Sequence, residues 1–374
     1  MSAEGGILIC HRGAIGDFLL TWPALSSLRK LLPDVPFAGV GRPDLMRLAV
    51  KMGLLGSFHD AERADMMPFF KGESLPPGMS PPAGAVLWLK DARRPASMLR
   101  RTARLPVAVI RPFPAEKVHV AVHHLRSLAS YYPIDTPPDL NPAASAFPAA
   151  CRGVSERMMF EIPSLGIEDP PELAPESFNS CFPSPDLRRG CDVLIHPGSG
   201  GPAKVFPAAL YLEIRRLLRE SGFQRVKFIL GPVEIDRGLS SLCDGGESIR
   251  PDDLCELAEH LSRARLYIGN DSGVSHLAGI LGVPAVAFFR STDPAIWGIL
   301  GPEARNYRVE SEQAALNALK RYLHTMEADA EDRFPYRQPP LCLRLYSPIC
   351  SPAISPKAET ISTIPQDSEK DRRS

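Results

Sequence analysis

Three times in this chain of 374 residues, a short apolar segment ends in a polar turn with glycine and continues as a helical pattern. The apolar segments are residues 7–10, 193–195 and 266–269, and each has the length of one buried strand. Repeated units of strand, turn and helix are typical of α/β proteins with parallel sheets. Such sheets bind ligands at the carboxyl ends of their strands, where all three turns would lie. The repetition therefore predicts an α/β fold whose binding site is built from these turns.

The turn after the third segment carries the densest group of polar side chains. Residues 270–276 read Asn-Asp-Ser-Gly-Val-Ser-His, and core packing alone does not require such a group. The start of a helix offers unpaired N–H groups and a partial positive charge, which favour an anionic ligand. His276 lies one turn into the predicted helix, so we expect its side chain to face the same cleft as Asp271 and Ser272. The alternative for His276 is a purely structural role.

The turn after the second segment has the composition of a phosphate-binding loop. Ser199, Gly200 and Gly201 can present backbone N–H groups because no large side chain stands in the way. Lys204 adds a mobile positive charge, and it follows the turn closely. The alternative for Lys204 is a solvated surface lysine, the commonest role of that residue.

The turn after the first segment ends in a carboxylate. Residues 11–17 read His-Arg-Gly-Ala-Ile-Gly-Asp, so Asp17 falls in the first turn of the following helix. Gly16 before it allows a tight backbone turn. A carboxylate at this position can act as a general base or can simply cap the helix. The residues alone leave both roles open.

These motifs resemble those of glycosyltransferase family 9, the bacterial ADP-heptose:lipopolysaccharide heptosyltransferases. Residues 13–17 with residues 20–25 resemble the first motif of the family, and residues 196–199 with Lys204 resemble the middle one. The resemblance spans roughly residues 5–325, with the motifs in the family's order. The third motif is matched by residues 271–273, 276–278, 282–284 and 292–294.

The resemblance implies the GT-B fold, in which two Rossmann-like domains face each other across a cleft. It also implies an inverting, metal-independent transfer of heptose from ADP-heptose to inner-core lipopolysaccharide or a similar glycan, without a cofactor. Asp17 would then take the proton of the acceptor hydroxyl, and Lys204 with the turn amides would stabilise the departing pyrophosphate. The predicted donor-binding residues are Ser199, Gly200, Gly201, Lys204, Asp271, Ser272, Gly273 and His276. The predicted acceptor-binding residues are Gly16, Asp91, Arg93 and Arg94.

Asp271 needs a separate interpretation because its negative charge would repel a pyrophosphate. Such a residue must pair with an N–H group, a hydroxyl or a cation. We therefore predict that Asp271 caps its helix or binds a hydroxyl of the sugar or ribose, without contacting the phosphates.

The strongest local cationic segment follows the predicted strand that ends at Leu89. Residues 90–94 read Lys-Asp-Ala-Arg-Arg, and the start of this segment should face the cleft. One interpretation is recognition of an anionic, lipid-linked glycan acceptor, together with contact at the membrane surface. The other is an ordinary solvated helix face, and the two deserve equal weight.

The chain departs from the family pattern at two informative places. His11 stands where the family usually has arginine, and the arginine here is Arg12. The middle motif of the family usually continues as lysine, arginine, tryptophan and proline, whereas residues 204–207 read Lys-Val-Phe-Pro. Arg290 is the candidate that replaces part of the missing positive charge.

The distribution of proline and the periodicity of apolar residues indicate how the chain is divided into domains. Proline-rich stretches and the loss of periodicity predict four parts. We expect an acceptor-side Rossmann-like domain (residues 1–165), a linker (166–190), a nucleotide-sugar-binding Rossmann-like domain (191–328) and an extended or disordered tail (329–374).

Charge and cysteine usage exclude several classes of protein. The formal net charge is zero, so no strong field draws the chain to nucleic acid. The eight cysteines show no Cys-x-x-Cys pair, which predicts reduced thiols in a cytoplasmic protein, at most peripheral to the inner membrane. Two other functions stay open. One is a GT-B nucleotide-sugar epimerase or hydrolase, and the other is a non-catalytic relative that binds a nucleotide-sugar.

Overall fold

The N-terminal half contains a five-stranded parallel sheet. The structure, a computed structural model, describes residues 5–134, 193–242 and 248–332. The strands of the first sheet are β1 (Ile7–His11), β2 (Phe37–Gly41), β3 (Ser57–Asp60), β4 (Gly84–Trp88) and β5 (Val107–Val109). Their order across the sheet is β3-β2-β1-β4-β5, and every neighbouring pair is parallel. β1, the first apolar segment of the sequence, therefore lies at the centre with all five residues buried.

Six α-helices connect these strands or follow them. They are α1 (Ile15–Leu19), α2 (Trp22–Leu31), α3 (Pro43–Lys51), α4 (Met67–Lys71), α5 (Arg93–Leu99) and α6 (Val120–Ala129). The helical pattern after β1 is divided into α1 and α2. Pro23 has no N–H group and is tolerated only in the first turn of a helix, so a new helix begins at Trp22. The hydroxyl of Thr21 donates to the carbonyl oxygen of Phe18 (2.7 Å) at this break.

The C-terminal half contains a six-stranded parallel sheet. Its strands are β6 (Val193–His196), β7 (Val226–Ile229), β8 (Ser248–Ile249), β9 (Leu266–Asn270), β10 (Ala285–Phe289) and β11 (Ala304–Arg308). Their order is β11-β10-β9-β6-β7-β8, again with parallel neighbours. The α-helices of this half are α7 (Ala208–Glu220), α8 (Pro232–Asp236), α9 (Leu254–Ser262), α10 (Gly273–Ile280), α11 (Pro294–Trp297) and α12 (Glu312–Asp332).

Both sheets reverse their strand order at the position where a ligand is expected. β1 lies between β2 and β4, and β6 lies between β7 and β9. The connections after β1 and β4 run to opposite sides of the first sheet, and those after β6 and β9 run to opposite sides of the second. This divergence opens a crevice at the carboxyl ends of these strands. The strand orders confirm the predicted α/β architecture of two Rossmann-like halves.

The two halves pack against each other within one compact unit, Met1–Thr325. α1 contacts α10 and α3 contacts α9, and Lys51 of α3 forms an ion pair with Glu259 of α9. The predicted linker, residues 166–190, and most of the predicted tail, residues 329–374, lie outside the described residues. The domain boundaries therefore stay predictions. Among the helices that the structure describes, none has the length and apolar character that a membrane span requires.

Candidate active site

The first turns of α1 and α10 lie directly against each other, and this contact joins the first and third sequence motifs. A Cβ atom built on Gly16 would be 3.0 Å from Cδ2 of His276. A Cβ atom built on Gly273 would be 3.1 Å from the backbone nitrogen of Gly16. Glycine at both positions therefore permits an approach that a side chain would widen. Gly16, predicted to bind the acceptor, is placed at this contact between the two halves.

A buried carboxylate holds the predicted phosphate-binding lysine. Nζ of Lys204 lies 2.6 Å from Oδ2 of Asp271, and the two side chains are 32% and 5% exposed. The hydroxyl of Thr292 donates to the same carboxylate oxygen (2.5 Å). Asp271 thus has a cation and a hydroxyl as partners, which makes its burial beside an anion-binding turn possible. Lys204, from the second motif, and Asp271, from the third, meet here.

Helix α10 is capped by Ser272, which corrects the capping role expected for Asp271. Ser272 has extended backbone torsions, and its Oγ accepts a hydrogen bond from the N–H group of Ser275 (3.3 Å). Its Oγ also lies 3.0 Å from Oγ of Ser275. Because Ser272 supplies the cap, the carboxylate of Asp271 is left for Lys204 and Thr292. The binding of a sugar or ribose hydroxyl by Asp271 stays a prediction.

The turn after β6 is held in place by the last residue of β9. Nδ2 of Asn270 donates to the carbonyl oxygens of Pro197 (2.9 Å) and Gly198 (3.2 Å). Oδ1 of Asn270 accepts from the hydroxyl of Tyr211 (3.0 Å). All four residues share the interface of two adjacent strands and α7, so the turn has little freedom to move. Neither Asn270 nor Tyr211 was assigned a role from the sequence.

The glycines of this turn differ from Ser199 in what they can offer a ligand. The hydroxyl of Ser199 is buried and donates to the carbonyl oxygen of Asp271 (2.6 Å). Its own carbonyl oxygen accepts from Nη1 of Arg237 (3.0 Å). Gly200 is exposed and Gly201 is partly exposed. The side chain of Ser199 therefore shapes the turn, and the two glycines leave backbone accessible next to Lys204.

A second buried carboxylate, that of Glu234 in α8, was not predicted from the sequence. Oε1 of Glu234 lies 3.6 Å from Nε2 of His196, and Oε2 accepts from the N–H group of Gly231 (2.9 Å). A Cβ atom on Gly198 would stand 1.8 Å from Oε1, so the turn after β6 rests on this side chain. Burial raises the pKa of Glu234, but His196 and the backbone N–H groups lower it below its ordinary value. The Gly231-Pro232 turn after an apolar segment is the signal that could have found Glu234.

Two buried histidines lie at the contact of the two halves. Burial lowers the pKa of His276 to about 4, although the nearby charge of Asp271 raises it. The ring of His276 is therefore neutral at neutral pH, with Nε2 3.9 Å from Oδ1 of Asp271. In the other half, Nδ1 of His119 accepts from the N–H group of Ala121 (3.3 Å). Nε2 of His119 must then carry the hydrogen, and it donates to the carbonyl oxygen of Gly298 (3.0 Å).

Asp17, the candidate base, lies half-buried in the first turn of α1 and faces charges from both halves. Burial raises its pKa, and the N–H group of Ala14 donates to its carboxylate and lowers it. The positive charges of Lys204 and Lys90 also lower this pKa, whereas the negative charge of Asp271 raises it. Asp17 therefore shares the electrostatic environment of Lys204 and Lys90. The roles of base and of helix cap both stay predictions.

Sequence comparison relates part of this site to a known family. Residues 173–325 match the family model described as glycosyltransferase family 9 (heptosyltransferase). This part of the chain is similar to that family. The match includes Lys204, the Asp271–His276 turn and Thr292, so the resemblance is confirmed for the half that carries the predicted donor site. The prediction of a glycosyltransferase is confirmed with it. No curated protein matches the chain in sequence.

Three solved structures have a similar architecture. E. coli heptosyltransferase WaaC with ADP is 18% identical, with a TM-score of 0.60 over 85% of this chain and 99% of that chain. E. coli ADP-heptose lps heptosyltransferase II is 15% identical, with a TM-score of 0.59 over 86% and 99%. The glycosyl transferase family 9 structure from Veillonella parvula is 15% identical, with a TM-score of 0.56 over 84% and 89%. These likenesses confirm the GT-B fold.

The first departure from the family pattern, at residues 11 and 12, places a neutral histidine and a stacked arginine in the first turn. Burial lowers the pKa of His11 to about 3, so its ring is neutral. Nδ1 of His11 accepts from the N–H group of Gly13 (3.3 Å). The guanidinium of Arg12 stacks over the ring of Phe70, 4.6 Å from its centre. His11 thus shapes the turn that carries Asp17 without adding charge to it.

At the second departure, residues 204–207, Arg290 was expected to replace part of the missing positive charge. It contacts the backbone of this loop instead. Nη1 of Arg290 donates to the carbonyl oxygen of Val205 (2.8 Å), and its guanidinium lies 5.2 Å from the centre of the Phe206 ring. Phe206 is buried, where the family usually has tryptophan one residue after an arginine. The positive charge of Arg290 is therefore placed on the backbone of the loop that carries Lys204.

The cationic segment after β4 lies at the carboxyl edge of the first sheet. Asp91, Arg93 and Arg94 are exposed, and α5 begins at Arg93. Lys90 is also exposed, and its charge acts on Asp17, although it was not among the predicted site residues. In the described ranges, no group of three or more His, Cys, Asp or Glu side chains could hold a metal ion.

Proposed function

We propose that this protein is an inverting heptosyltransferase that uses ADP-heptose and needs no metal ion. The observation that carries the proposal is the Lys204–Asp271 pair at the start of α10, next to the exposed backbone of Gly200 and Gly201. An ammonium group, a helix start and a glycine turn together form a site for a diphosphate. Asp17 enters the same site from the other half.

The proposed reaction is a single displacement at the anomeric carbon of the heptose. The acceptor hydroxyl attacks this carbon while Asp17 takes its proton, and the bond to the β-phosphate oxygen breaks. Lys204 and the turn N–H groups stabilise the negative charge that grows on the departing ADP. Displacement from the opposite face inverts the anomeric configuration. Burial raises the pKa of Asp17, and the positive charges of Lys204 and Lys90 oppose this and favour the ionised form that a base requires.

The donor and the acceptor are supported by different observations. The family description is heptosyltransferase, and a solved structure of the same architecture contains ADP. For the acceptor, the supporting observation is a group of exposed cations after β4, in the half that carries Asp17. They are Lys90, Arg93 and Arg94. Cations there fit an anionic, lipid-linked glycan such as inner-core lipopolysaccharide. The proposed location is the cytoplasmic face of the inner membrane.

Calorimetric titration with ADP, UDP and GDP in the presence of EDTA tests the proposal. We expect the wild type to bind ADP in preference to the others, and Lys204→Ala to weaken this binding about tenfold or more. Lys320→Ala, at an exposed lysine of α12, is the matched control and should bind as the wild type does. Preference for UDP or GDP would contradict the heptose assignment, and loss of binding in EDTA would contradict metal independence.

Turnover assays then separate the proposed transferase from its alternatives. We expect Asp17→Asn to bind ADP nearly as the wild type does and to lose glycosyl transfer, because only the base is removed. Consumption of ADP-heptose by the wild type without any acceptor would indicate an epimerase or a hydrolase. Binding of ADP without turnover with any acceptor would indicate a non-catalytic relative.

A further inference from the structure

One oxygen of a buried carboxylate receives two donors from different parts of the chain. Oδ2 of Asp271 lies 2.6 Å from Nζ of Lys204 and accepts from the hydroxyl of Thr292 at 2.5 Å. The side chain of Asp271 is 5% exposed. The ring of His276, which is neutral at neutral pH, lies 3.9 Å from Oδ1. The partners of Oδ2 are therefore Lys204 and Thr292.

The two donors differ in how firmly their own positions are held. Lys204 reaches Asp271 through a flexible side chain of four carbons, whose ordering costs conformational entropy. Thr292 has a short, β-branched side chain with restricted rotamers. Its carbonyl oxygen accepts from Nη1 of Arg308 (2.6 Å), and the next residue, Asp293, caps α11 by accepting from Ala295 (3.0 Å). Thr292 is thus the anchored donor, and Lys204 is the mobile one.

We propose that Thr292 is a positioning residue that fixes the carboxylate of Asp271 and thereby presents Lys204 to the donor diphosphate. The inference rests on the proposed function, which makes Lys204 a ligand of that diphosphate. When the ammonium group of Lys204 turns toward a phosphate, its interaction with the buried carboxylate of Asp271 becomes weaker. The hydroxyl of Thr292 stays on the carboxylate in both situations, which lowers the cost of that turn.

Removal of the Thr292 hydroxyl is expected to weaken diphosphate binding for two reasons. The carboxylate loses the donor that sets its direction, so Lys204 is less well placed. Without the hydroxyl, Lys204 is the remaining donor to the carboxylate oxygen. It is therefore held more firmly at Asp271 and is less available to the phosphate. Thr292→Val keeps the size and branching of the side chain and removes only the hydroxyl, whereas Thr292→Ser keeps the hydroxyl.

The test compares these two variants by ADP calorimetry and by crystal structures without nucleotide. We expect Thr292→Val to weaken ADP binding about tenfold and to displace the Asp271 carboxylate, while Thr292→Ser stays close to the wild type. Thr102→Val, at a threonine whose hydroxyl donates to the carbonyl oxygen of Leu99 in the other half, is the matched control and should change neither. If Thr292→Val does not fold, Thr292→Ala replaces it.

A double-mutant cycle with Asp271→Asn shows whether Thr292 acts through Asp271. We expect the effect of Thr292→Val on ADP binding to be largely lost in the Asp271→Asn background. Additive effects, or equal weakening in Thr292→Val and Thr292→Ser, would overturn the proposal. So would a crystal structure of Thr292→Val in which the Asp271 carboxylate keeps its wild-type position. A wild type that binds no ADP would overturn the proposed function, and the crystal structures would still decide the role of Thr292.

Discussion

Gly273 at the start of α10 lies so close to Gly16 of α1 that a Cβ atom on Gly273 would stand 3.1 Å from the Gly16 nitrogen. The same Cβ atom would stand 2.6 Å from Cβ of Ile15. Neither neighbour can move without shifting backbone. This contact sets the distance between Asp17 on one half and the Asp271–Lys204 pair on the other.

Gly273→Ala is therefore expected to separate the two helix starts. Overpacking of this kind costs about 1–3 kcal/mol of unfolding free energy, and we expect glycosyl transfer to fall about tenfold or more. Gly56→Ala is the matched control, because a Cβ atom there meets only the carbonyl oxygen of Phe37 at 3.7 Å. Urea denaturation and initial rates measure the two effects. A variant as stable and active as Gly56→Ala would show that the contact is not needed.

The pH dependence of transfer should report the environment of Asp17. Burial raises its pKa above the ordinary value of 3.8, and activity is lost as the pH falls through the raised value. Lys90 lowers the same pKa, so removal of its charge in Lys90→Met should move the acid limb of kcat/KM to higher pH. Lys320→Met, far along the chain on α12, should leave the limb in place. A limb that stays in place or moves to lower pH in Lys90→Met would contradict the assignment of Asp17 as base.

Arg290 is expected to act on the loop that carries Lys204 and not on the phosphate itself. Arg290→Met removes the hydrogen bond to the carbonyl oxygen of Val205, and we expect ADP binding to weaken about fivefold. Hydrogen exchange of residues 199–206 should become faster in this variant, because their backbone loses its brace. Arg101→Met, at another exposed arginine, is the control. Weaker binding with unchanged exchange would show that Arg290 contacts the ligand directly.

Buried histidines should make the protein less stable in mild acid. Burial lowers the pKa of His11 and His124 to about 3 and that of His276 to about 4, from 6.5. Between pH 6.5 and 4 the unfolded chain binds protons that the folded chain does not, so stability falls as the pH decreases. Each histidine contributes a slope of about 1.4 kcal/mol per pH unit in that window.

Urea denaturation at pH 7.5 and 5.5 measures this slope. His124→Gln should reduce it, because glutamine has no proton to gain and can still accept from Nε1 of Trp88, which donates to Nδ1 of His124 (3.2 Å). Equal slopes in the wild type and His124→Gln would contradict the neutral state of His124.

Local patterns predicted β1, β6 and β9 and missed the edge strands β3, β8 and β11. β1, β6 and β9 are fully buried, so their sequences are continuous apolar runs bounded by turns. β3, β8 and β11 lie at or near the sheet edges and are short or partly exposed. Burial on one face only, over a few residues, leaves no apolar run to recognise. Their places in the sheets come from pairing with neighbours distant in sequence.

The sequence grouped site residues that are close together in the chain and missed their partners from elsewhere. The turn at Asp271 and Ser272 was recognised, but its cap was assigned to the wrong residue of the two. Glu234 was missed and Asn270 received no role, because their partners His196 and Pro197 are 38 and 73 residues away. Thr292 was noticed as part of a motif without a role, since its partner Asp271 is 21 residues away.

The sequence by itself determined the α/β class, the three turns, the family resemblance and the candidate base and lysine. These depend on residue type, spacing and the start of helices, which are properties of short segments. Only the tertiary structure decided that Lys204 is held by Asp271 and Thr292, and that His11 and His276 are neutral. It also decided that Gly16 serves the contact between the halves. Hydrogen bonds, burial and charge interactions depend on distances through space, and the packing of two separate sheets sets those distances.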